Sequence, residues 1–141
     1  MPHLIKLAVG ARDVDHLRAW QARRLESDPP LRHRTRSTPK RAAEILSFGG
    51  SLFWVVAGFV QVRQRLLDIR EETGEDGTLC AGLVLDPELV AVEARPQKPF
   101  QGWRYLLPEA APPDIRPGIE ARGLEALPAR LRRELRDLGL L

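Results

Sequence analysis

The chain has 141 residues, of which 43% are apolar and 29% charged, with a formal net charge of +3. That balance excludes a disordered or low-complexity polymer, and the length fits one ordinary domain that needs no metal or disulfide to fold. Cys80 is the only cysteine, so no disulfide can close within the chain, and a reducing, cytoplasmic setting is expected.

The charge is uneven. Residues 1–70 hold 13 Lys and Arg against 6 Asp and Glu, whereas residues 71–141 hold 9 against 13. A cationic half fits an anionic partner; a dipolar surface that only aids solubility accounts for it as well. The apolar run Leu4–Val9 is short and interrupted by Lys6, unlike a secretory leader. The longest apolar run, Leu52–Val60, is nine residues, far below the roughly 20 of a spanning helix. No membrane association is expected.

In chain order, His3–Val9 reads as a strand ended by Gly10. Asp13 caps a helix running to about Leu25, with Val14, Leu17, Trp20 and Leu25 as its apolar stripe. Residues 28–37, "DPPLRHRTRS", read as a loop of prolines and alternating cations. A short helix, "TPKRAAEIL", follows, with Thr38 as N-cap, Pro39 in the first turn and Gly49–Gly50 as the stop. Leu52–Ala57 and Phe59–Arg70 are rich in β-branched and aromatic residues and read as strand, broken or bent at Gly58. The first part is apolar on both faces and should be covered on both. The second alternates, which sets Arg63 and Arg65 side by side on one face. "EETGEDGT" (71–78) is a hairpin connection, and Leu79–Leu85, Leu89–Ala94 and Phe100–Leu107 are further strands.

Four prolines in residues 108–118 suggest a linker over 108–123, closing a domain of residues 1–107. Residues 124–141 then carry an amphipathic helix, about Pro128–Leu138, packed on that domain through Leu127, Leu131, Leu135 and Leu138. The expected fold is α+β: a mostly antiparallel sheet of about five strands, two helices in the N-terminal half and a C-terminal amphipathic helix.

No catalytic set is legible. Cys80 lies in an apolar strand and reads as an inert core thiol. His3, His16 and His33 lack metal spacing and read as surface or hydrogen-bonded histidines, so neither a metal nor a cofactor is expected. Asp68 and Asp86 could serve as base or metal ligand in a small enzyme, but turn and strand-edge carboxylates are commoner. One feature breaks a local rule. Arg36, Lys40 and Arg41 crowd the N-terminal end of the helix expected from Thr38, where the peptide dipoles already place positive charge. An anion held by those cations, the Ser37 and Thr38 hydroxyls and free backbone N–H groups would remove the conflict. Side chains that bend into solvent would remove it too. Arg63 and Arg65 would join the site only if their face of the sheet looks toward that helix end. Trp103, Arg104 and Tyr105 interleave cation and ring as stacking or clamping groups do.

"HLIKLAVG", "TPKRAAEIL", "GGSLFWVVAGFVQVRQRLLDI", "LVLDPELVAVEARPQKPFQGWRYL" and "PPD", spread over about residues 3–114, resemble a family of small uncharacterised alphaproteobacterial proteins, a domain of unknown function. The resemblance implies a bacterial cytoplasmic protein. It assigns no activity and no catalytic residue. It also implies a lysine in many relatives where this chain has Ala57. The residues themselves point to a binding module for an anionic ligand, RNA or another nucleic acid first. The alternative is a small enzyme acting on a phosphorylated or nucleotide substrate.

Overall fold

The long apolar stretch sets the architecture. In a computed structural model of the chain, which describes residues 2–74 and 76–115, it forms a tight hairpin rather than a bent strand. Strand β3 (Ser51–Val56) turns through Ala57 and Gly58 into β4 (Phe59–Thr73), with Val56 opposite Phe59. Both turn residues have positive φ, 49° and 87°. That handedness matches the twist of the flanking strands, and glycine adopts it without steric cost.

Around this hairpin lie, in chain order, β1 (His3–Leu7), α1 (Val14–Ser27), β2 (Arg32–Thr35), α2 (Ala42–Phe48), β5 (Leu79–Leu85), β6 (Val90–Pro96) and β7 (Trp103–Leu106). The sheet order is β2-β5-β4-β3-β1-β7, with β6 pairing β4 off that path. Only β1 and β3 pair in parallel, with α1, β2 and α2 in the connection between them. The 15-residue β4 pairs with β3 and β6 over its first half and with β5 over its second. Its ladders shift register between Val60 and Val62 and between Leu66 and Asp68, irregularities that sharpen the local twist. The sheet curls strongly as a result. In a flat sheet β2 would lie roughly 14 Å from β3, three strand spacings away. Instead the His33 ring on β2 sits edge-on to Trp54 of β3, with centroids 5.2 Å apart.

Alternation in β3 feeds two cores. Leu52, Trp54 and Val56 join Leu4, Leu17, Ile45, Val62 and Leu83 under the helices. Phe53 and Val55 join Ile5, Val60, Val92 and Phe100 on the opposite face. Within the helix-side core the fully buried Gln64 is wholly satisfied. Its amide exchanges two hydrogen bonds with Gln21 of α1 (2.7 and 2.8 Å), donates to the Asp86 carbonyl (3.0 Å) and accepts from the Trp54 indole (2.8 Å). Such a closed network fixes how α1 sits on the sheet, because any slip would strand a buried polar group.

The expected α+β fold, with a sheet of about five strands and three helices, is overturned. The described residues are mostly sheet, with seven strands and two α-helices. Two strands were hidden. Gly58 separates two antiparallel strands instead of bending one, and the supposed loop 28–37 contains β2. The expected C-terminal helix lies outside the described residues. Where a linker was expected to begin, residues 108–115 lie against the sheet. Asp114 bridges to Val92, and the Ile115 N–H donates to the Ala91 carbonyl (3.0 Å).

Candidate anion-binding site

Because β2 curls back toward β1, a cleft opens between β1, β2 and α1. Its inner part is a cavity of about 260 Å³ walled by Leu17, Trp20, Leu31, Trp54 and Leu85. An outer groove of about 610 Å³ continues past Thr35, Ser37 and Trp103. Lys6 and Arg34 border both parts, Arg24 and Arg32 the inner one and Arg36 the outer one. No carboxylate lines either part among the described residues.

The cations differ in availability. Arg32 is committed: its Nε donates to both Glu72 oxygens (2.8 and 2.9 Å), and its guanidinium also reaches Asp28. Arg34 shares the same Glu72 at 3.5 Å. Lys6, Arg24 and Arg36 form no ion pair among the described residues. Lys6 is half-buried, and desolvation lowers its pKa. His33 lies deeper. Burial first, then the charges of Lys6 and Arg24, lower its pKa to about 4, so it is neutral at pH 7. Its Nε2 is buried and has no hydrogen-bond partner. An orphaned polar atom in a cationic, tryptophan-walled cavity is what an unfilled ligand site leaves behind.

The residues singled out from sequence are only partly brought together. The short helix starts at Ala42, not Thr38. Pro39 is buried and its carbonyl accepts from the Ala42 N–H (3.2 Å), so residues 39–42 form a turn ahead of the helix. Thr38 caps nothing there, and Arg41 occupies the cap position without a side-chain cap. The conflict with the helix dipole is resolved internally. Arg41 makes two hydrogen bonds to Glu44 in the first turn (2.7 and 2.9 Å), and these hold the Glu44 carboxyl at about 2. The Arg41 N–H donates to the Tyr105 hydroxyl (3.1 Å).

Strand parity divides the rest. Trp103 and Tyr105 oppose Lys6 and Leu4 of β1, on the helix side. Arg104 opposes Ile5, on the other side, where its guanidinium lies over the Phe100 ring at 4.4 Å. Arg63 opposes Phe53 and so also faces away from the cleft. It donates to both carboxylate oxygens of Asp114 (2.6 Å each) and to the Ser51 hydroxyl (2.9 Å). Arg65, opposite Ser51, is exposed on that same side. Lys40 is exposed beside the turn. Of the earlier set, Arg36, Ser37 and Trp103 line the cleft; the Trp103 indole donates to the Ser37 carbonyl (3.0 Å).

Lys6, Arg24, His33 and Arg34 were missed as site residues. The signal was present for three of them: "RHRTR" alternates with period two, the strand period, and Lys6 interrupts an apolar strand. His3 and His16 are hydrogen-bonded as expected, each Nδ1 accepting a backbone N–H at 3.0 Å. Among the described residues no cluster of three His, Cys, Asp or Glu could hold a metal, and no helix is long and apolar enough to cross a membrane.

Fold and cleft together define a small, mostly-sheet protein with a basic hollow at the open side of a curled sheet. The chain belongs to the family described as protein of unknown function (DUF1489), whose model matches residues 4–141. The match runs past residue 114, where the sequence resemblance stops. No curated protein and no solved structure matches the chain.

Proposed function

We propose that this chain binds an anionic ligand in the cleft between β1, β2 and α1, and that nucleic acid is the class of ligand it takes. One observation carries the reading: Lys6, Arg24, Arg32, Arg34 and Arg36 line the two adjoining hollows and no carboxylate does. Low-dielectric walls focus the field of such a cluster and draw anions in. Trp20 and Trp103, one in each part, supply ring surfaces on which bases stack. The enzyme alternative gains no support from this geometry. Asp68 is exposed and bonds its neighbour's N–H, Asp86 accepts the Glu88 N–H (2.9 Å), and neither lines the cleft. A bacterial, alphaproteobacterial origin and a cytoplasmic setting belong to the same reading. A lone thiol suits a reducing compartment, where single-stranded RNA is at hand.

Fluorescence anisotropy with labelled random pools of single-stranded RNA and DNA, at two salt concentrations, tests it. Binding should fall steeply with salt, and Arg24→Glu with Arg36→Glu should weaken it at least about tenfold. Arg63→Gln, on the opposite face, should change it less than about twofold. Failure of both pools to bind in a salt-sensitive way would overturn the proposal.

A further inference from the structure

Resting on that reading, we infer that the inner cavity holds a single unpaired heterocyclic base whose phosphate lies on the Lys6, Arg34 and Arg36 rim. Size gives the first argument. At about 260 Å³ the cavity is smaller than the ~300–1,000 Å³ typical of sites for drug-sized ligands, so it suits one ring system rather than a whole cofactor. The second is the division of chemistry. Apolar and aromatic walls lie inside, while Lys6 and Arg34 belong equally to the outer groove. An occupant therefore has a flat or apolar body and an anionic end that faces outward.

His33 chooses among such bodies. Its buried Nε2 has no partner, and an acyl chain or plain phenyl ring would leave it so, at the full cost of a desolvated polar atom. A nucleobase edge carries both N–H donors and ring-nitrogen acceptors, so it satisfies Nε2 in either tautomer of the imidazole. Trp54, already edge-on to His33, and Trp20 wall the same space. The cavity lies between α1 and the sheet, where a base still paired in a duplex cannot reach; the base that enters is unpaired. Free energy for opening a pair is least when the strand is already single.

The test compares oligomers of equal charge. A labelled single-stranded DNA hexamer is titrated against the full chain beside a hexamer of the same length in which every position is abasic. The base-bearing strand should bind at least about tenfold more tightly at the same salt, the worth of one stacked, hydrogen-bonded base. Ala8→Phe, which fills the cavity from β1's end, and His33→Leu should each shrink that ratio while leaving abasic binding unchanged. Equal binding of the two strands by the unaltered protein would overturn the base pocket and leave the anion reading standing. Failure of both strands to bind would overturn the anion reading itself. The unaltered protein decides between these outcomes, so a variant that fails to fold does not blunt the test.

Discussion

The two faces of the curled sheet treat their cations differently. On the face away from the helices, Arg63 is held by two 2.6 Å hydrogen bonds to Asp114, and Arg104 lies over the Phe100 ring. On the helix side, at the cleft, Lys6, Arg24 and Arg36 stand without a carboxylate, and a neutral histidine lies behind them. Arg32 and Arg34, at the cleft border, are intermediate, since both lean on one Glu72. An arginine's charge is constant along a sequence, but its availability is set by whether a carboxylate reaches it. Availability, rather than local density of cations, separates a ligand site from an internal ion pair.

The largest effect should come from the network beneath the cleft. Gln64→Leu strands the Gln21 amide and the Trp54 indole N–H in the core and should cost about 3–5 kcal/mol in denaturant unfolding. The double variant Gln21→Leu with Gln64→Leu should cost less than the sum of the two singles, because each single orphans the other's amide. Full additivity would mean that the helix side is held by packing alone.

His33 gives the next effect. Its folded pKa, about 4, lies below the unfolded value of about 6.5, so unfolding takes up a proton as the pH falls between the two. The stability it supports is present above pH 6.5 and is lost progressively toward pH 4, up to about 3 kcal/mol. His33→Leu should flatten that limb in urea titrations run at successive pH values. An unchanged limb would mean that the ring is not the group that titrates. The border arginines come third. A Cβ on Gly82 would stand 1.8 Å from a Glu72 oxygen, so Gly82→Ala must push Glu72 off Arg32. A loss of about 1–3 kcal/mol is expected. Glu72→Gln should lose less, because it keeps one acceptor in place.

How much of this was legible depends on which pattern carried it. Apolar periodicity showed β1, β3, β4 and β5 and the helix capped by Asp13, whose carboxylate accepts the His16 N–H at 2.7 Å. It did not show β2, because its pattern is written in cations. Arg32 and Arg34 alternate with His33 and Thr35, and hydrophobicity registers no contrast between them. Gly58 was read as a bend because turn direction depends on the φ of Ala57 as well, which composition does not carry. The basic segment 34–37 was noticed, and its partner surface was assigned to the wrong end. Parity along β4 gives the face of Arg63, but which face meets the helices follows from the parallel β1–β3 crossover. Lys6, Arg24 and His33 are far apart in sequence, and only the curl of the sheet makes them neighbours.

The smallest effect tests the self-contained face. The Arg63 guanidinium hydrogen bonds hold the Asp114 carboxyl below its ordinary range, so stability from this pair is present above about pH 4 and is lost as the pH falls through the lowered value. The Asp114 side chain is 45% exposed, so solvent screening keeps the contribution under about 1 kcal/mol. Asp114→Asn should therefore trim stability slightly at pH 7 and remove only the acid loss below pH 4, leaving the His33 limb between 6.5 and 4 intact. The two limbs belong to opposite faces and fall in separate pH windows, so one set of urea titrations resolves both. A loss above about 2 kcal/mol at pH 7 would exceed what an exposed pair supplies. It would show that residues 111–115, docked on β6 through Val92 and Ala91, act as a strap on which that face depends.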